Sequence, residues 1–201
     1  MRNPTVTGPL KPTTLRAAGM LAIASAMLTI PLFLLSVLLE GRYDATARSI
    51  HLALQGVGTL IFLVLTVSFY CFLNRNCGFH RANKIILGQI ALNIVYALAS
   101  AASIFSRQGE EQMRPVMMCL IFLLGILQAG LGLRLFALDN DLLGMKRQYC
   151  WLNVVTGVFF ASLLMIPVAI ITSAVADIML GTIFILESRR LALPSQVEAE
   201  G

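Results

Sequence analysis

Long apolar stretches alternate with short polar ones along the whole chain. Uncharged runs cover residues 17–39, 49–73, 85–106 and 115–133. A helical run of about 20 apolar residues crosses a hydrocarbon core about 30 Å thick, so each run predicts one membrane-crossing helix. The fourth extends to about residue 138. Beyond Arg147, residues 148–186 carry a single charge, Asp177. One helix of that length would be about 58 Å long at 1.5 Å per residue, about twice the core thickness. Two spans, 148–166 and 170–188, fit better. Pro167 and the Thr172-Ser173 pair offer the break, because proline disfavours helical backbone in the residue before it and Ser173 can cap a following helix. The pattern predicts an all-α bundle of six spans, or five if the last two stay joined. The bundle forms one unit over 1–190, and a disordered cytoplasmic tail over 191–201 is expected to follow.

Composition agrees with lipid as the solvent. Hydrophobic residues make up 58% of the 201 residues and charged residues 12%, and the mean hydropathy is +0.82. A soluble domain carries about 25% charged residues. The chain therefore cannot clothe an ordinary water-facing surface, which excludes a disordered tail, a collagen-like fibre, a coiled coil and a water-soluble enzyme. Ala24-Ser25-Ala26 imitates a signal-peptide cleavage site. The apolar run continues through Leu39, however, so an uncleaved first span is expected.

The net charge of +5 is distributed between apolar runs rather than in one basic face. It reads as a topology signal and not as a nucleic-acid surface. With six spans and an internal N-terminus, the inner segments hold eleven cations: Arg2, Lys11, Arg16, Arg75, Arg81, Lys84, Arg134, Lys146, Arg147, Arg189 and Arg190. The outer loops hold four: Arg42, Arg48, Arg107 and Arg114. Five spans reduce the bias to nine against six. Both termini are therefore expected to be cytoplasmic, in a bacterial plasma membrane. The inner surplus of cations follows the positive-inside rule.

An internal echo accompanies this plan. Leu60-Ile61-Phe62-Leu63 recurs as Leu120-Ile121-Phe122-Leu123, and Leu92-Asn93-Ile94-Val95 as Leu152-Asn153-Val154-Val155, both at an offset of 60 residues. That offset is two spans, the spacing of a repeated helical hairpin. Short apolar words also recur by chance in any membrane chain.

Asp177 is the one acid inside a predicted span. A charge at depth is costly and marks a proton or cation site by default. Alternatively, the last helix starts at Ser173 and Asp177 sits in its first turn, favoured by the helix dipole. The third span carries Gln89, Asn93, Tyr96, Ser100 and Ser103 at spacings of 4, 3, 4 and 3, which place them on one stripe. Gln55, Thr59, Thr66 and Tyr70 add polar positions on the second span, Ser25, Thr29 and Ser36 on the first, Gln128 on the fourth, and Asn153 and Thr156 on the fifth. Such stripes either line a hydrated path or tie helices together, at about 0.6 kcal/mol per hydrogen bond. The candidate seam is Asp177, Gln89, Asn93, Tyr96, Ser100, Ser103, Gln55 and Asn153. Small residues four apart (Ala18, Ala22 and Ala26; Ala97 and Ala101; Gly125 and Ala129; Gly157 and Ala161) permit close helix packing.

Other chemistry finds little support. His51 and His80 fall at opposite ends of the second span, too far apart to ligate one haem. Cys71, Cys77, Cys119 and Cys150 form no paired framework, and Cys71, Cys77, His80 and Cys150 lack zinc-site spacing. No Lys lies inside a span for a Schiff base. Asp139-Asn140-Asp141 with Gly144 is too sparse for a calcium loop. No phosphate-binding, serine-hydrolase or zinc-protease motif occurs. The sequence therefore favours a non-enzymatic, multi-pass protein without cofactor or metal. Its expected partners are the lipid bilayer and a membrane protein or second copy of itself, and its expected role is that of a subunit or scaffold. A small-solute or ion transporter or channel using the Asp177 seam is the alternative. An enzyme acting on lipid ranks last, since no acid, base and nucleophile converge.

Overall fold

The computed structural model describes residues 8–39, 42, 44–104 and 107–197. Arg2 and residues 198–201, used above for topology and the tail, lie outside the described residues. Six α-helices follow one another: α1 (Pro12–Leu39), α2 (Ala45–Arg75), α3 (Asn83–Ser103), α4 (Arg107–Leu135), α5 (Lys146–Ser162) and α6 (Ile166–Val197). No strand occurs among the described residues. Five of the helices are long and apolar enough to cross a membrane. The sixth, α5, has 17 residues, about 25 Å at 1.5 Å per residue. Large apolar side chains such as Met27, Leu38, Leu98 and Leu133 cover the outside. That surface is stable against lipid and not against water.

The helices form a closed ring. Each packs against its neighbours in the chain, and α6 returns to pack against α1. Among the described residues no helix backbone approaches another across the ring. Two seams are especially tight. A Cβ built on Gly19 would lie 2.8 Å from the Gly181 carbonyl oxygen, which fixes α1 antiparallel against α6. A Cβ on Gly125 would lie 2.7 Å from the Gly157 carbonyl oxygen, and one on Gly132 2.7 Å from the Cys150 carbonyl oxygen. Only glycine allows the backbones this close. The small-residue rows of α4 and α5 thus face each other, and the α1 row, Ala18, Ala22 and Ala26, is buried.

The ends of the ring differ. One end, here the loop end, carries the start of α1, the α2–α3 and α4–α5 connections, and the end of α6. A 3-10 turn, Leu142–Gly144, lies in the α4–α5 connection. The other, the turn end, carries the short connections after α1, α3 and α5. Asp44 caps α2 there, accepting from the Ala47 N–H at 3.1 Å. The buried cluster lies toward the loop end and includes Leu15, Phe72, Leu73, Phe79, Ile86, Leu135, Leu138, Ile183 and Phe184. Two aromatic contacts cross the ring within it. Phe69 meets Tyr149 edge-on at 5.8 Å, and Phe72 meets Phe184 at 5.4 Å. The bundle is packed solid at the loop end only.

Several boundaries differ from those read in the sequence: α1, α2 and α4 start at Pro12, Ala45 and Arg107, ahead of the apolar runs at 17, 49 and 115, and the last two helices differ most. The break between the last two helices comes at Leu163–Met165, not at Pro167 or Thr172-Ser173. Leu163 adopts a left-handed backbone (φ 56°) that ends α5. Pro167 lies in the first turn of α6, where its missing N–H costs nothing. Ser173 is inside the helix and caps nothing. At the other end, α6 continues through Val197, so helix occupies the first seven residues of the stretch read as tail.

Candidate functional site

The ring encloses a central cavity of about 690 Å³. Every helix contributes to its wall, and the lining reaches Arg42 and Ile104 at the turn end. Toward the loop end it stops at Phe69, Ile86, Leu131, Tyr149 and Leu180, one each from α2, α3, α4, α5 and α6. These five residues also belong to the buried cluster, so the packed half of the bundle forms the floor.

A polar layer lies directly above that floor. Thr66, Gln89, Gln128 and Asp177 each stand three residues from the floor residue of their own helix, and Asn153 stands four from Tyr149. Those spacings put each polar side chain on the same helix face as its floor residue, one turn nearer the mouth. Three of them form a chain. Gln89 Nε2 donates to Gln128 Oε1, and Gln128 Nε2 donates to Asn153 Oδ1 at 2.6 Å. Asn153 Nδ2 donates to the Tyr149 carbonyl oxygen at 2.7 Å. The chain ties α3, α4 and α5 together.

Asp177 completes the layer from α6. It lies eleven residues beyond Ile166, about 16 Å along the helix. The start of α6 at Ile166 removes the first-turn alternative raised by the sequence. The Asp177 carboxylate has no hydrogen bond or ion pair among the described residues.

All eight seam residues line this one cavity: Asp177, Gln89, Asn93, Tyr96, Ser100, Ser103, Gln55 and Asn153. They divide in role. Gln89 and Asn153 belong to the interhelical chain. Among the described residues, Asn93, Tyr96, Ser100, Gln55 and Asp177 make no hydrogen bond to another helix, and Ser103 donates to the Ser100 carbonyl of its own helix. The Asn93 Oδ1 is buried and has no hydrogen-bond partner among the described residues. Ser25, Ser36 and Thr66 also face the cavity, whereas Thr29, Thr59, Tyr70 and Thr156 do not line it. The α3 and α5 positions 60 apart share this wall, as Gln89 with Tyr149, Asn93 with Asn153, and Ser100 with Phe160.

Sequence reasoning missed Tyr149 and the aromatic wall of Phe33, Phe62 and Phe160. For Tyr149 the signal was present, since Tyr149, Asn153 and Thr156 follow at spacings of 4 and 3. Nothing in the sequence distinguishes a cavity-facing Phe from a lipid-facing one. His51 lines the mouth and His80 bonds to Asn74 at the opposite end of α2. No group of three His, Cys, Asp or Glu able to hold a metal ion exists among the described residues.

The chain matches no protein-family model, and comparisons with curated proteins and with solved structures give no significant match.

Proposed function

We propose that this multi-pass membrane protein is a carrier for a small solute, which occupies the central cavity above the Phe69–Tyr149 floor. The observation that carries the reading is the convergence of five helices on one polar layer containing an unpartnered carboxylate. Holding a carboxylate at depth is expensive, and no group among the described residues pairs with it. A solute or proton that reaches it supplies the compensation. The scaffold reading favoured by the sequence rested on the lack of a catalytic constellation and on small-residue rows. The rows at Gly125 and Gly157 are used inside the chain, as is the Gly19–Gly181 approach beside the α1 row, and leave less for a partner. By the positive-inside rule the loop end is cytoplasmic, so the cavity opens outward and the packed half closes the inner side.

The test is cysteine labelling from each face of the membrane with an impermeant thiol reagent. The background lacks Cys71, Cys77, Cys119 and Cys150. A carrier labels Ser100→Cys from one face and Asn153→Cys from both, because the floor must open in turn. Labelling of both positions from one face only indicates a binding protein without transport. No labelling at either position indicates a closed void and restores the scaffold.

A further inference from the structure

The cavity also carries information on what it takes, given the carrier reading. We infer that its ligand is a monovalent organic cation with an apolar body, bound with its cationic group on Asp177 and its body along the aromatic wall.

Charge comes first. Among the described residues lining the cavity, Asp177 is the one acid, and Arg42 and His51 are the only basic side chains. Both basic groups stand at the turn end: Arg42 precedes α2 and is exposed, and His51 lies fifteen residues before Thr66 of the polar layer, about 22 Å along the helix. Tyr96 and Tyr149 complete the titratable groups of the wall. The polar layer above the floor therefore holds one acid with no basic side chain beside it among the described residues, and that acid, when ionised, selects one positive charge and repels an anion.

The donor set then decides between a bare metal ion and an organic cation. Hard cations such as calcium take six to eight oxygens. Carriers that bind inorganic cations recruit backbone carbonyls from unwound helices. Here α6 runs unbroken through Asp177 and α3 unbroken through Asn93, so their carbonyls are used by the helices themselves. One carboxylate and a few amide oxygens remain. That set suits an ammonium group, which needs one counterion and few acceptors. The unpartnered Asn93 Oδ1 stands one helical turn above Gln89 and can accept from such a group after a side-chain rotation.

Size and surface agree. A volume of about 690 Å³ falls within the range of small-molecule sites, roughly 300–1,000 Å³, and far exceeds what one ion needs. Phe33, Phe62, Phe160 and Tyr96 supply aromatic faces along the wall. Such faces attract both apolar bodies and organic cations.

Equilibrium dialysis on the purified full chain in an uncharged detergent tests this, with benzyltrimethylammonium as probe and benzenesulfonate as the anionic comparison. The expected result is saturable binding of the ammonium at one per chain, weakened tenfold or more by Asp177→Asn and within a few fold of the parent in Asp177→Glu. Benzenesulfonate should not bind. Binding of both probes alike, binding of neither, or binding unchanged in Asp177→Asn overturns the inference. If Asp177→Asn does not fold, protection of Ser100→Cys from labelling by the ammonium, and not by sodium, replaces it. Failure of protection, or protection by sodium alone, is then the overturning result. The carrier reading is judged separately by two-faced labelling at position 153, which needs no ligand.

Discussion

Gln128 reaches from α4 to Asn153 on α5 with a 2.6 Å hydrogen bond, and its carbonyl accepts from Gln89 on α3. One side chain therefore serves two helix interfaces in a layer that also faces the cavity. Removing it leaves the other two amides short of a partner at once. Gln128→Leu is expected to destabilise the fold more than Asn153→Leu, by roughly 1–3 kcal/mol, the usual cost of an unsatisfied buried polar group. The coupling between Gln128 and Asn153 should be about 0.6–1.7 kcal/mol, in the range measured for membrane hydrogen bonds. A double-mutant cycle by unfolding in mixed micelles gives both quantities. Zero coupling would mean that water in the cavity satisfies these amides already.

The tight seams predict a sharp contrast among glycines. At Gly157 an added Cβ would collide with the backbone of Ala129 and would lie 2.5 Å from the Gly125 carbonyl oxygen. At Gly56 and Gly58 on α2 it would meet open space. Gly157→Val should force α4 and α5 apart, with loss of thermal stability and a broadened size-exclusion peak. Gly56→Ala should be neutral or stabilising by up to about 1 kcal/mol, the difference in helix propensity. Equal effects at the two positions would contradict the close α4–α5 approach.

The spans were legible because apolar runs of bilayer length have one stable solution, and so were the polar stripes, because side chains three and four apart share a helix face. The Gln89–Ser103 stripe lines the cavity over its whole length for that reason. Ring closure was not legible. It depends on Gly19 meeting Gly181, across nearly the entire chain, and nothing local announces that pairing. The break before α6 was misplaced because Pro167 reads equally well as the end of one helix or the first turn of the next. The structure resolves this through the left-handed backbone of Leu163, a conformation that a leucine does not advertise in sequence. Asp177 owes its changed meaning to that shift, since an earlier helix start places it in mid-helix.

Outside the spans, Cys77 offers a pH-dependent readout of the packed loop end. Its thiol is pushed up to about 11, first by burial and then by the negative charge of Glu187. A raised thiol pKa means less thiolate, the reactive form, at any pH below it. Cys77 should therefore react with maleimide at pH 8 about 100-fold more slowly than an unperturbed thiol of pKa 9, with the rate rising until pH approaches 11. Glu187→Gln removes one of the two causes and should speed the reaction at pH 8. A rate that levels off near pH 9 would show that Cys77 is exposed to solvent.

The floor predicts what separates the cavity from the loop end. Phe184 and Phe72 meet across the ring at 5.4 Å, and both are almost completely buried. Phe184→Ala removes a ring from the solid half, at a cost of roughly 3–5 kcal/mol for a core Phe-to-Ala change. It also opens a void one helical turn below the floor residue Leu180, on the loop-end side. The expected consequence is that a cysteine at position 153 becomes constantly accessible from the loop-end face, in place of access that depends on floor opening. Phe184→Leu fills most of the void and should keep the barrier. Labelling rates from the two faces, compared among the parent, Phe184→Ala and Phe184→Leu, give the answer. If Phe184→Ala folds and access from the loop end does not increase, then Phe69 and Tyr149, which touch at 5.8 Å one turn nearer the cavity, hold the barrier alone.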